Sequence, residues 1–411
     1  MQPAINQTLH LTYCTKVHPG HGWDTIFPSL QRCVPELKRR LSPAAPFGLG
    51  LRLSAAECET LGTPSRLAEF QDFLAAHNLY VFTLNGFPYG TFHGPRVKAE
   101  VFAPDWRHLT RLSYTIRLAG ILAKLLPAGM SGGISTLPLS YKPWISRRKQ
   151  EAMVRITRNL ILMTKELIAI KERGGPSLHV DLEPEPDGLV ENTRELVEYY
   201  QEWLLSYGVR LLADMAGMAG DTAQEALLEH LQVCLDTCHM AVAYEDPQES
   251  LKMLAENGIR VGKVQITNGW RVLLGSERHR REQLVRELTP FSNSPYLHQV
   301  VGRREKGIRV QYRDLNEALA DLKHASESEW RIHYHLPLFV ERFGNLEATQ
   351  DLTREVLRFL GSGKVTEHLE LETYTWELLP ADLKIDLVDF LEREYRWVLD
   401  ILGGCESNKY S

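Results

Sequence analysis

Short β-like runs alternate with longer helical ones along most of this chain, and few folds accept that order. Leu9–Thr15, Phe47–Leu53, LYVFTLNG (79–86), GGISTLPLS (132–140), SLHVDLEP (177–184), LQVCLDTCH (231–239) and RVGKVQITNG (260–269) read as strands. Helical patterns lie between them at about Trp23–Leu41, Ser65–His77, Leu109–Leu126, Lys149–Lys171, Glu191–Tyr207 and Pro247–Asn257. Parallel strands joined by crossover helices predict an α/β fold, a (β/α)8 TIM barrel. Local signals agree: Ser54 and Glu57 have the spacing of a capping box, and Pro28 and Pro35 mark breaks in the first helix. The segment Phe87–Asp105 has no period and is expected to be a long, functional loop.

The eighth strand comes late. About 270–330 reads as an insertion, with a hairpin in PYLHQVVGRREKGIRVQYRDL turning at Glu305–Gly307 and a short helix at Asn316–His324. WRIHYHLPLF (330–339) is a strand candidate, Ala348–Leu360 a helix, and HLELETYTW (368–376) a further strand, expected to close the barrel. That makes nine strand-like units, one too many, so either WRIHYHLPLF or an extension of the seventh unit is expected outside the barrel. Leu379–Leu402 predicts a C-terminal helical cap (about 379–403), and the whole of 1–411 reads as one TIM-barrel domain.

Composition narrows the function classes. The chain carries 52 Asp+Glu against 47 Lys+Arg, a formal charge of −5, which opposes the positive groove that nucleic-acid binding needs. No run of 18 apolar residues exists, so no membrane span is expected. Six cysteines without a CxxC pair, and a start that lacks the signal-peptide pattern, point to a reducing, cytoplasmic location.

The polar residues fall where a barrel does its chemistry. Side chains alternate along a strand, so His179, Asp181 and Glu183 share a face, as do Cys234 and Asp236; Lys263, Gln265 and Thr267; His333 and His335; and Glu370 and Glu372. Ligands bind at the carboxyl ends of parallel strands. Several buried carboxylates need a counter-charge, which a divalent cation supplies. Glu183, Asp236 and Glu372 are the acidic ligand candidates, with His335, His333 or Gln265 completing a site suited to Mn, Mg, Co or Zn. His335 is expected to point into the same cavity as Glu372, with His333 deeper on the same face. A zinc cluster of Cys234, Cys238 and His239 would force adjacent strand residues out of their pairing. His18, Arg52, Asn85 and His93 lie at early strand ends or in the long loop, as substrate-contact candidates.

In order, Glu183, the DTCHM stretch (Asp236–Met240), Gln265 and Glu372-Thr373-Tyr374 resemble the xylose-isomerase-like TIM barrels. That superfamily includes sugar and sugar-phosphate isomerases, ketose 3-epimerases and apurinic endonucleases. The DTxHM stretch is most similar to the epimerase form, in which the aspartate binds metal and the histidine touches substrate. At whole-chain level LTYCTKVHPG, FGLGLRLS, YVFTLNGFPYGTFHG and LHVDLEPEPDG resemble the metabolite traffic family EboE.

The resemblance implies catalytic roles for Glu183, His239 and Glu372, and metal ligation by Glu183, Asp236, Glu372, Gln265 or His335. Substrate contacts fall to His18, Arg52, Asn85, His93, Glu185 and His333. Two departures stand out. Gln265 occupies the place of the epimerases' metal histidine, which His335 is expected to fill. Their second glutamate falls to Glu185 or Asp187, beyond two prolines. The implied function is a metal-dependent isomerase or epimerase of a small polyhydroxylated metabolite, in a biosynthesis or export pathway that supplies protein partners. The alternative is a non-catalytic metabolite-binding or trafficking protein on the same barrel.

Overall fold

The computed structural model describes residues 1–3, 8–90, 98–145, 149–292, 294–304, 307–362, 365–379 and 384–404. Seven strands alternate with helices as the pattern requires: β1 (His10–Tyr13), β2 (Phe47–Arg52), β3 (Leu79–Asn85), β4 (Gly132–Thr136), β5 (Leu178–Leu182), β6 (Leu231–Asp236) and β7 (Val261–Ile266). Six short strands then make a separate sheet: β8 (Trp270–Leu273), β9 (Val300–Arg303), β10 (Arg309–Tyr312), β11 (Glu329–Ile332), β12 (Arg342–Phe343) and β13 (Leu346–Ala348). The last strand, β14 (His368–Leu371), returns to pair in parallel with both β7 and β1. The eight-stranded sheet is therefore a TIM barrel closed by the strand that leads to Glu372.

Register brings the site residues level. Gln265 on β7 sits opposite Asp236 on β6 and opposite Glu370 on β14. At the seam, β1 and β2 meet through a Cys14–Gly50 bridge, and Thr12 Oγ1 donates to the Gly48 carbonyl at 3.0 Å. A Cβ on Gly50 would lie 2.2 Å from Glu370 Oε1, so a glycine is required where that carboxylate enters the barrel.

The barrel interior is polar. Lys263 Nζ meets Glu370 Oε2 at 2.6 Å with both side chains fully buried, and His179 Nδ1 lies 2.6 Å from Asp181 Oδ1. Burial raises the Glu370 carboxyl above its ordinary value against the pull of Lys263. The apolar residues of the same strands alternate outward onto the helices, as Val180, Leu182, Val264 and Leu369 do.

The inserted sheet runs further than expected. Its order is β10-β9-β11-β8-β13-β12, so it reaches Ala348 rather than stopping near 330. The hairpin of β9 and β10 is present, with residues 305 and 306 of its turn outside the described residues. A core of its own, including Trp270, Leu284, Phe291, Trp330 and Tyr334, holds it together. Its two ends are tied: Gly269 N donates to Thr349 Oγ1 at 2.9 Å, and Thr349 N to Gly269 O at 3.0 Å. The WRIHYHLPLF strand is shorter than predicted, ending at Ile332 where its pairing with Trp270 and Val300 ends.

Helix boundaries follow the sequence signals closely. The first helix is Trp23–Leu41, and Pro28 and Pro35 lie inside it without ending it. Its Ile26, Leu30, Val34 and Leu37 face is buried, which holds the helix across both prolines. The capping box of Ser54 and Glu57 is complete in both directions. The helix predicted to end at Tyr207 continues in three segments to Ala216.

The C-terminal helix, Leu387–Leu402, packs beside Trp23–Leu41 and beside Gln350–Ser362, completing the outer ring. Its Glu394 is buried, accepting from Leu338 N at 3.0 Å and Thr373 Oγ1 at 2.7 Å. Burial pushes that carboxyl up to about 8 from an ordinary 4.5. The folded state then keeps a proton that the unfolded chain releases, so stability falls as pH rises from about 4.5 to about 8. Glu394→Gln keeps the acceptor oxygen and removes the titration. Its melting temperature is expected to decline less than wild type's between pH 5 and 8, and parallel declines would count against the assignment.

Candidate metal centre

Four strand ends converge on one point. Glu183 follows β5, and its backbone N donates to the Thr136 carbonyl at 3.0 Å. Asp236 ends β6 and caps the helix Thr237–Val242; its Oδ1 accepts from Cys238 N at 2.8 Å, His239 N at 3.0 Å and Thr267 Oγ1 at 2.6 Å. Glu372 follows β14. One oxygen from each of Glu183, Asp236 and Glu372 lies within 4.8 Å of the other two. The Gln265 amide nitrogen stands among them, 2.9 Å from Glu183 Oε1, 3.3 Å from Asp236 Oδ2 and 2.5 Å from Glu372 Oε2. An amide has two protons to offer, so it cannot satisfy all three oxygens.

Charge balance is incomplete here. Lys16 Nζ reaches Glu372 Oε1 at 3.1 Å and lies 4.0 Å from the centre of the Tyr374 ring. Asn85 Nδ2 donates to the same Glu372 oxygen at 2.9 Å. Glu183 Oε2 is buried without a hydrogen-bond partner among the described residues. Burial, reinforced by Glu372 and Asp236, drives the Glu183 carboxyl well above its ordinary value. Burial also pushes Asp236 up, but His239, His335, the Thr267 hydroxyl and the His239 amide outweigh it and hold that carboxyl below its ordinary value.

Three imidazoles line the same cavity. His335 Nε2 lies 3.8 Å from Asp236 Oδ2, and His335 Nδ1 donates to the Glu372 carbonyl at 2.6 Å. His333 Nδ1 is 2.7 Å from Gln299 Oε1 and 3.5 Å from Glu185 Oε1. His239 Nδ1 is 3.0 Å from the Pro184 carbonyl and 3.7 Å from Glu183 Oε1. Burial lowers the pKa of all three. His335 thus shares the cavity with Glu372. His333 turns to the Glu185 side, where Gln299 Oε1 accepts from its ring. Burial raises the Glu185 carboxyl to about 8.

The remaining substrate-contact candidates divide. Asn85 is at the centre, but as a partner of Glu372. His18 is buried with one ring nitrogen 2.8 Å from the Tyr13 hydroxyl and the other 2.9 Å from Ser29 Oγ, a tie between β1 and the first helix rather than a cavity wall. Arg52 binds Glu57 at 3.2 Å and the Gly90 carbonyl, which anchors the loop after β3 rather than a ligand. His93 lies outside the described residues. Asp187 accepts from Gln311 and stands off the cavity, so of the two residues predicted for the second glutamate's place only Glu185 lines it.

Sequence reasoning missed Lys16, Gln299, Tyr296 and Lys98, all close to this centre. Lys16 had one available signal, its place immediately past the first strand. Gln299 had none, since only the inserted sheet brings it there.

No protein-family model matches this chain, and no curated protein matches it. Among solved structures the chain is similar to the probable 3-DHS dehydratase AsbF of petrobactin synthesis from Bacillus anthracis. That similarity has 12% identity over 94% of this chain and 98% of that one, at a TM-score of 0.45. It is similar to the IolI protein with a bound zinc atom, at 10% identity over 97% and 100% and a TM-score of 0.47. A xylose isomerase domain protein from Planctomyces limnophilus is similar at 12% identity over 97% and 96%, with a TM-score of 0.46.

Proposed function

We propose that the protein is a metal-dependent isomerase or epimerase of a small, polyhydroxylated carbonyl compound. One observation carries the reading: three buried carboxylates share one point, with one ammonium against them and one Glu183 oxygen without a hydrogen-bond partner among the described residues. That donor set fits a hard divalent cation such as Mn or Mg. Glu183, Asp236 and Glu372 would hold it, with Gln265 turned to present its amide oxygen. When bound, the ion supplies Lewis-acid polarisation of a substrate carbonyl.

The chain's own residues supply the proton traffic. Glu183 Oε2 takes the proton from the carbon next to the carbonyl, its proton affinity raised by burial and by its negative neighbours. Glu372, oriented by Lys16 and Asn85, returns a proton. His239 and the protonated Glu185 carboxyl hydrogen-bond substrate hydroxyls, and Tyr374 walls the cavity. The resemblance to the EboE family supports a role in a cytoplasmic metabolite biosynthesis or export pathway.

The test is solvent exchange. Manganese-loaded protein in D2O is expected to place deuterium on the carbon beside the carbonyl of a ketose or ketose phosphate, read by mass spectrometry, and Glu183→Gln to abolish it. Binding without exchange across such a panel would decide for a non-catalytic metabolite-binding or trafficking protein.

Among the described residues no helix is long and apolar enough to cross a membrane.

A further inference from the structure

The cavity at the carboxylate centre has two kinds of wall. Its deep part is the carboxylate and imidazole group described above, every member of it buried. The rest is mostly carbon: Phe87 and Val101 from the segment after β3, Tyr296 and Leu297 from the chain before β9, and Tyr374 after β14. Val101 and Leu297 are half-buried where the carboxylates are fully buried, which makes this the outer part.

Several contacts fix that outer wall. Lys98 N donates to the Pro295 carbonyl at 3.0 Å and Lys98 Nζ to Asp314 Oδ2 at 2.6 Å, which clasps the segment after β3 to the inserted unit. The Tyr296 and Tyr374 rings meet edge to face with centroids 5.2 Å apart, and Tyr374 lies against His335 at 4.5 Å. Phe87 meets Phe102 at 5.6 Å. A wall ordered before a ligand arrives costs little ordering entropy on binding.

The chemistry of that wall selects what can lie on it. A hydroxyl set against Phe87, Val101 or Leu297 gives up its water and finds no partner in their side chains, whereas a methylene gains from the same contact. Among the described residues the ammonium groups of the cavity are Lys16, engaged with Glu372, and Lys98, engaged with Asp314. An anionic group placed there would have to break an existing pair.

We propose that the ligand of this cavity carries an apolar arm of several carbons, its hydroxylated head at the carboxylates and its arm against Phe87, Val101, Leu297 and the two tyrosine rings. The proposal rests on the preceding reading for the head alone; the arm follows from the outer wall whatever chemistry the head undergoes. The same wall disfavours a fully hydroxylated sugar and a sugar phosphorylated at its far end. Tyr296 and Leu297 belong to the inserted unit, so the insertion sets which arm is accepted.

Ketose ethers alkylated on the terminal oxygen, from methyl to hexyl, test the proposal by calorimetry on manganese-loaded protein. Affinity is expected to rise about twofold to fourfold per methylene, the effect of burying one in part or in full, and to level off once the chain outruns the wall. A flat series overturns the proposal. Leu297→Asn, or Val101→Asn if the first does not fold, is expected to flatten the rise. A folded variant that keeps the wild-type slope places the arm elsewhere and overturns it too. Deuterium exchange into the same compounds separates the two readings. A steep series without exchange keeps the arm and removes the isomerase, while exchange with a flat series keeps the isomerase and removes the arm. Binding of none of the ethers, in protein that has taken up manganese, overturns both.

Discussion

Lys263→Met is expected to cost about 3–5 kcal/mol of folding stability, the usual effect of removing one partner from a buried ion pair. The side chain is fully buried at 2.6 Å from Glu370, inside the barrel, where water cannot replace it. Methionine keeps the volume and removes the charge, so packing loss is small. Glu370 is left with a raised carboxyl that must take up a proton or stand charged and alone, and the deficit therefore grows with pH. Urea denaturation measures it, and Lys263→Met combined with Glu370→Gln is expected to recover most of the loss. A single-variant cost under about 1 kcal/mol would mean that the pair is not what holds the interior.

Asp236→Asn and Glu372→Gln are expected to lower metal occupancy strongly without unfolding the protein. Each exchange keeps the shape and one acceptor oxygen while an anionic ligand is lost. The cap of the Thr237–Val242 helix survives, because an amide oxygen at position 236 still accepts from Cys238 N and His239 N. Linkage gives the size: with Mn2+ at 100 times its dissociation constant, wild type gains about 2.7 kcal/mol. Thermal unfolding with and without Mn2+ reads the difference. Equal stabilisation of wild type and both variants would remove these residues from the metal's coordination.

Strand parity made the carboxylate centre legible. Glu183, Asp236, Gln265 and Glu372 stand at the ends of parallel strands, where a period of two decides which side chains enter the barrel. The same rule reached His333 and His335 by a path the molecule does not follow. The strand stops at Ile332, and what aims the two rings is Gln299 and the Glu372 carbonyl. Those partners are separated from the histidines by more than thirty residues, so no local pattern carries them. The inserted sheet was illegible for a related reason. Its strands are two to four residues long, too short for a period to show. Lys16 follows its strand in a three-residue turn of helix, where alternation no longer predicts direction.

The tie between Gly269 and Thr349 has a consequence for the order of folding. Strand β14 must find its place beside β7 although the chain between Ile266 and His368 is long. Once the inserted sheet has formed and its ends are joined, the slack left to organise is little more than the helix Gln350–Ser362. Each halving of a closing loop saves about 0.6 kcal/mol of entropy, so a roughly fivefold shortening lowers the closure cost by about 1–2 kcal/mol. Formed first, the small sheet would act as a fastener for the large one. Glu372, which follows β14, and His333 and His335, which follow β11, would then be placed by the same closure.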